Sequence, residues 1–222
     1  MENQYEILKN YFSLIHKIIS RGINISLKGG QDIIGGTVFD DNIIRGYLSY
    51  VRMTGLMLDT HHRTEDDIAF PYFKESLPDT HFLWLREDHD LITGFLEALS
   101  LIMDVLESGS LTLENFEILN QVLLKIEDRW TQHIELEEEE FIDLIDSLAP
   151  PDARKYLVVQ FFQYNEPLLE PYYLSFPFML FNLKASDRQH WSENLSTQIL
   201  QKIETAPWKE KWSPMAPYLF GE

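Results

Sequence analysis

Apolar residues recur every three or four positions along most of the chain, and four such stripes each carry a histidine where carbon is expected. Leu8, Phe12, His16, Ile19 and Ile23 step by four and three and form the first stripe. The following stretch, SLKGGQDIIGGTVFDDN, has four glycines and reads as a loose linker. It lacks the Lys-Ser/Thr ending of a phosphate-binding loop. A second helix is expected from about Asn42 to Phe70, with Ile44, Leu48, Val51, Gly55, Leu58, His61, Glu65 and Ile68 on one face. Pro71 and Pro78 bracket its exit. The third opens near Asp79 or Thr80, either a suitable N-cap, and carries Leu85, His89, Ile92, Leu96, Leu99, Met103 and Leu106. Thr112 can cap the fourth, whose stripe is Leu119, Leu123, Ile126, Trp130, His133, Glu137, Phe141 and Leu144. Four consecutive helices with mostly short connections predict an all-α fold: an antiparallel up-down four-helix bundle over residues 1–149, closed by the Ala-Pro-Pro at 149–151.

Beyond Pro150 the texture changes, and residues 150–222 are expected to form a C-terminal helical extension and extended tail packed on the bundle. One helix is expected from about Asp152 to Tyr164, and another from the Ser186–Gln189 capping box to just before Pro207. The tail APWKEKWSPMAPYLF reads as an extended cover. Residues of hydrophobic type make up 45% of the chain, which places it among folding sequences. Its net charge of −18 repels phosphate, so neither nucleic acid nor an anionic membrane is expected as a partner. With no cysteine, disulfides, thiolate metal sites and Cys nucleophiles are excluded. The start MENQYEILKNYF lacks a signal-peptide pattern, and the apolar run YYLSFPFMLFNL is shorter than the ~20 residues of a membrane span. A soluble, cytoplasmic protein is the expectation.

The histidines do not stand alone. His61 is followed four residues later by Glu65, and His133 by Glu137, a spacing that stacks each pair on one helix face. Glu65 lies 13 residues before the turn at Pro78 and His89 lies 11 after it; His89 and His133 lie 21 and 23 residues either side of Ser110. At ~1.5 Å per residue, antiparallel neighbours would bring these side chains to one layer. Four imidazoles and two carboxylates in an apolar core are costly unless something pairs them, and a metal cation does. Nitrogen and oxygen donors without sulfur suit iron, manganese or zinc. The set exceeds what one ion takes, so two metals bridged by Glu65 and Glu137, with room for a bridging oxo or hydroxo group, fit best. The expected metal ligands are His16, His61, Glu65, His89, His133 and Glu137.

HHRTEDDIAFP and HIELEEEEF, with REDHDLI and LIHKII supplying the other two histidines, resemble the His-x-x-x-Glu motifs of hemerythrin-like proteins over roughly residues 5 to 148. The resemblance implies an antiparallel four-helix bundle holding a non-haem di-iron centre, two iron ions that bind oxygen or its reduction products such as peroxide. Oxygen-carrying members of that family use a fifth histidine in a His-x-x-x-His pair on the third helix, whereas Leu85 and Thr93 stand four residues from His89 here. A four-His, two-Glu set resembles the members that sense iron or oxygen and implies sensing, storage or buffering. Two other readings stay open: a di-iron enzyme that reduces peroxide or nitric oxide or oxidises a small substrate, and a metal-free helical interaction protein.

Neighbouring residues are assigned lesser parts. His62 is one step, about 100°, off the stripe and is expected at the rim or behind the ligands, with Asp66 beside it. Glu138, Glu139 and Glu140 read as a solvated run in which Glu138 can back a ligand. His81 reads as surface and His190 as structural. Trp84 and Trp130 are expected to pack the core near the ligand layer, and nothing singles out Tyr11 or Tyr72 as a donor behind it.

Overall fold

The computed structural model describes residues 7–36, 40–77, 79–193 and 195–221, and every regular element among them is helical. The side chains of Asp79, Thr80, His81, Glu140 and His190 lie outside the described residues, and with them the expectations placed there. Two long helices come first, α1 (Ile7–Ile34) and α2 (Asp41–Thr64). Asp40 caps α2 by accepting the Ile43 N–H at 2.8 Å. A π-helical turn, Glu65–Ala69, carries α2 into the short α3 (Phe70–Phe73). Then come α4 (Asp79–Glu107) and α5 (Leu113–Glu137), the latter capped by Thr112, which accepts the Asn115 N–H at 3.2 Å. A second π-helical turn, Glu138–Ile142, leads from α5 into α6 (Asp143–Leu148). Helix α1 packs on α2 and α5, α2 on α4, and α4 on α5, so the four long helices close a ring around one core.

Two features differ from the sequence pattern. The glycine stretch is mostly helix: α1 continues through Gly29 and Gly30 to Ile34. A Cβ on Gly29 would sit 2.8 Å from the Tyr47 ring, and one on Gly30 2.8 Å from the Tyr47 hydroxyl. The glycines therefore let α1 and α2 approach closely, rather than loosening the chain. The π-helical turns are the second difference. Each adds a residue to one turn and advances the buried stripe by one. After Glu65 the core position passes from Ile68 to Ala69, and after Glu137 from Leu144 to Ile145.

The last third is more helical than expected. It comprises α7 (Pro151–Asn165), α8 (Tyr172–Phe181), α9 (Ala185–Glu193), α10 (Thr197–Glu204), α11 (Ala206–Trp212) and α12 (Ala216–Phe220). The single helix expected from Ser186 to Pro207 breaks at Ser196, whose hydroxyl accepts the Ile199 N–H and starts a new helix. The tail is not extended, because Pro207, Pro214 and Pro217 each stand in the first turn of a helical segment, where proline's missing N–H costs nothing. These elements lie on α1 and α2. Asn182 Oδ1 accepts from the Tyr50 hydroxyl and from Arg21 Nη1, both at 2.6 Å, and Arg21 also donates to the Gly221 carbonyl at 2.8 Å. Contact is closest at Gly46, where a Cβ would lie 1.8 Å from the Pro214 carbonyl oxygen. Among the described residues no helix is long and apolar enough to cross a membrane.

Candidate metal centre

The four long helices deliver all six expected ligands to one buried layer. His16 comes from α1, His61 from α2, Glu65 from the start of the π-helical turn after it, His89 from α4, and His133 and Glu137 from α5. Each is at most 4% exposed. Glu65 lies between the two sides of the layer, with Oε1 3.5 Å from His61 Nε2 and Oε2 3.3 Å from His89 Nε2. Glu137 Oε2 lies 3.1 Å from His16 Nε2, 3.6 Å from His133 Nε2 and 3.9 Å from His61 Nε2. Each carboxylate thus faces imidazoles from more than one helix.

The far nitrogens meet a second set of carboxylates. His16 Nδ1 lies 3.4 Å from Glu138 Oε1, His89 Nδ1 3.0 Å from Asp66 Oδ2, and His133 Nδ1 3.7 Å from Asp88 Oδ2. Asp88 is itself held by Arg129. A carboxylate behind an imidazole fixes the ring and leaves the opposite nitrogen's lone pair for a cation. Glu138 and Asp66 therefore stand behind the rings of the candidate ligands His16 and His89; Asp88, behind His133, had no signal in the helix-face pattern.

Electrostatics divides the cluster. Burial pulls the His16 pKa down, but the adjacent carboxylates of Glu137 and Glu138 outweigh it, and the pKa is raised to about 9. Burial pushes His61 and His62 well below the usual imidazole range, helped by the neighbouring histidines. His133 falls to about 3, chiefly through burial. Burial, reinforced by Glu137, drives Glu65 well above the usual carboxylate range. Glu137 is held low against its own burial by His16, His61 and His133. Most of the imidazoles are therefore neutral and ready to donate a lone pair.

Two sequence expectations need correction. His62 is not at the rim: it is 3% exposed and stacks on His89 at 4.0 Å between ring centres. Trp84 is 65% exposed and packs no core, since it lies on the outer face of α4. Trp130, by contrast, packs against His16, His61, His62 and His133 and donates from Nε1 to Ser20 Oγ. Tyr72 is surface-exposed, while buried Tyr11 accepts a hydrogen bond from Asn165, which in turn accepts one from Thr64. The missed signal for His62 was the composition of α2. From Gly46 to Leu58 it carries Arg52 as its single charge, the mark of a helix covered on nearly every side.

A cation suits this set on an observation independent of resemblance. The Nε2 atoms of five histidines (16, 61, 62, 89 and 133) and all four oxygens of Glu65 and Glu137 are buried without a hydrogen-bond partner. Buried donors and acceptors are otherwise almost always paired. Two overlapping groups have ligand atoms within 4.8 Å of one another: His16, His61, Glu65, Glu137, and His61, His62, Glu65, His133. Beside them lies a mostly apolar cavity of about 380 Å³ between α1 and α2 on one side and α7 to α10 on the other. Its wall includes His61, Phe12, Met57, Phe162, Trp191 and Ile199.

The model of the family described as Hemerythrin HHE cation binding domain matches residues 14–145, a span that contains every residue of the cluster. No curated protein and no solved structure matches the chain.

Proposed function

Because the chain belongs to the hemerythrin HHE cation-binding family, matched over more than half its length, we propose that it holds two iron ions and binds oxygen or an oxygen-derived ligand such as peroxide to sense, store or buffer it. The observation that carries this reading is the set of nine buried donor atoms without hydrogen bonds, five imidazole Nε2 atoms around the four oxygens of Glu65 and Glu137. His16 and His61 would hold one ion, His89 and His133 the other, and the two glutamates would bridge them. Bound iron would supply a redox-active Lewis acid for a small oxygen-containing ligand. The protein's part is to fix the imidazoles through Glu138, Asp66 and Asp88 and to keep water out with Trp130, Phe12 and Phe70. An up-down antiparallel order of the four long helices belongs to this reading. So does a division into a metal-holding bundle, 1–149, and a covering extension, 150–222, in a reducing cytoplasm that suits a cysteine-free chain.

One observation favours the enzyme as a second reading: the apolar cavity that reaches His61 has the size of a small-molecule site. A metal-free interaction protein is favoured by nothing comparable, since it leaves the nine donors without partners. Elemental analysis of aerobically purified protein, with its near-ultraviolet and visible spectrum, tests the main reading. Two irons per chain are expected, with charge-transfer absorption of a ferric pair. Protein that holds no metal, and takes up none when ferrous iron is added anaerobically, overturns it. Peroxide added to the iron-loaded protein separates the first two readings: one stoichiometric spectral change marks a binder, and continued consumption marks an enzyme.

A further inference from the structure

His62 is the least explained member of the cluster. It is 3% exposed, and neither Nδ1 nor Nε2 has a hydrogen-bond partner. Both ring nitrogens of His89 and His133 also lack a hydrogen bond, but these two and His16 each have a carboxylate within 4 Å of Nδ1. Its ring lies nearly parallel to His89, at 13° and 4.0 Å, and 5.0 Å from His133. Stacking does not require a histidine, since Phe70 also lies nearly parallel to His89, at 5.5 Å, with hydrocarbon alone. A phenylalanine at position 62 would serve the same packing without burying two unpaired nitrogens.

From this placement we infer that His62 is a metal ligand, the third imidazole of an ion shared with His89 and His133. The inference rests on the two-metal reading above and changes its ligand set from four imidazoles to five. The side holding His62 then has three imidazoles, and the side holding His16 and His61 has two. Consecutive residues on a helix diverge by about 100°, so His61 and His62 can turn to different ions if α2 faces the axis between them. The distances place His62 within a set of close ligand atoms with His133, Glu65 and His61, while His61 alone of the two also belongs to the set with His16 and Glu137. His89 joins the His62 side through the ring stack at 4.0 Å and through Glu65 Oε2 at 3.3 Å. Helix α2 and its π-helical turn thus supply three donors, while α4 supplies His89, with Leu85 buried and Thr93 exposed at the positions a turn away.

Two measurements test this. Metal-free protein and H62F, which keeps the stacked ring, are titrated with zinc by calorimetry, and both are checked for helicity by circular dichroism. Wild type is expected to take two ions, and H62F to bind the second at least on the order of 100-fold more weakly, a ligand being worth more than the 10–100-fold of its supporting partners. Two equally tight ions in H62F overturn the inference and leave the two-metal reading standing. No zinc in wild type overturns the two-metal reading itself. The second measurement needs no variant. With ¹⁵N in its seven histidines, zinc-loaded wild type should show five with metal-shifted ring nitrogens, and loss of the His62 signal in that set, leaving four, overturns the inference even if H62F does not fold.

Discussion

His133 offers a direct trial of whether the cluster is built for a cation or for the fold. Its side chain is fully buried, Nε2 has no partner, and Nδ1 is 3.7 Å from Asp88, a carboxylate already held by Arg129. His133→Leu keeps the volume close, removes the unpaired nitrogen and leaves Asp88 paired. A buried polar atom without a partner costs about 1–3 kcal/mol, so the metal-free variant should be more stable than metal-free wild type by roughly 1–2 kcal/mol. For a chain of this size that is a melting temperature roughly 3–6 °C higher. Acidity sharpens the test. Folding lowers the His133 pKa from 6.5 to about 3. Below pH 6.5 the unfolded chain therefore binds a proton that the folded one refuses, and wild type loses stability as pH falls. The leucine variant escapes this loss, so the gap should widen by about 1 kcal/mol between pH 7.5 and 5.5. Metal reverses the order: free ion at 100 times its dissociation constant adds about 2.7 kcal/mol to a protein that binds it, and the variant lacks a ligand. Thermal melts by circular dichroism, with chelator and with anaerobic ferrous iron, read both halves. A metal-free His133→Leu that melts below wild type at both pH values would refute the argument, because the imidazole would then be a satisfied part of the core.

Other consequences are simpler to read. Asp66→Asn removes the carboxylate behind His89 and should weaken metal binding 10–100-fold while leaving the metal-free melting temperature nearly unchanged, since Asp66 is half-buried; calorimetry with zinc measures it. Metal uptake should release about two protons per chain near neutral pH, from His16, whose pKa is raised, and from Glu65, also raised, so affinity should climb with pH; repeating the titration in buffers of different ionisation enthalpy counts them. Gly46→Ala drives a Cβ to 1.8 Å from backbone at Pro214 and should cost 3 kcal/mol or more, about the upper end of overpacking, whereas Gly94→Ala, with open space at its Cβ in α4, should add about 1 kcal/mol. Urea unfolding of the pair reads the difference.

The helices were legible where one face is apolar and the other wet. The α5 stripe from Leu119 to Phe141 is buried residue for residue. Legibility failed where glycine and proline have two uses. Gly29 and Gly30 look like a linker, but they mark the place where Tyr47 crosses α1. Pro207, Pro214 and Pro217 look like breakers, but each sits in the first turn of a helical segment. In both cases the deciding partner is distant along the chain, and local pattern carries no trace of it. The π-helical turns escaped for another reason. A stripe counted at 3.6 residues per turn has no place for an added residue, and both turns begin at or just after a glutamate of the metal cluster.

The same geometry explains why six members of the cluster could be picked out from spacing and the seventh could not. A helical wheel assumes that a helix has one direction toward the core, and it sorts side chains by their angle from that direction. His16, His61, His89 and His133 pass this test because each lies on the apolar stripe. His62 fails it by about 100°. Yet α2 is enclosed on one side by α1 and α4 and on the other by elements of the C-terminal third, so its inward directions span most of its circumference. A layer built for two cations, as proposed, would also be wider than one side chain, and a helix facing its middle could present neighbouring residues to both. An off-stripe polar residue on such a helix is as much a candidate ligand as one on the stripe, and a near absence of charge over the preceding turns is the sequence signal that marks it.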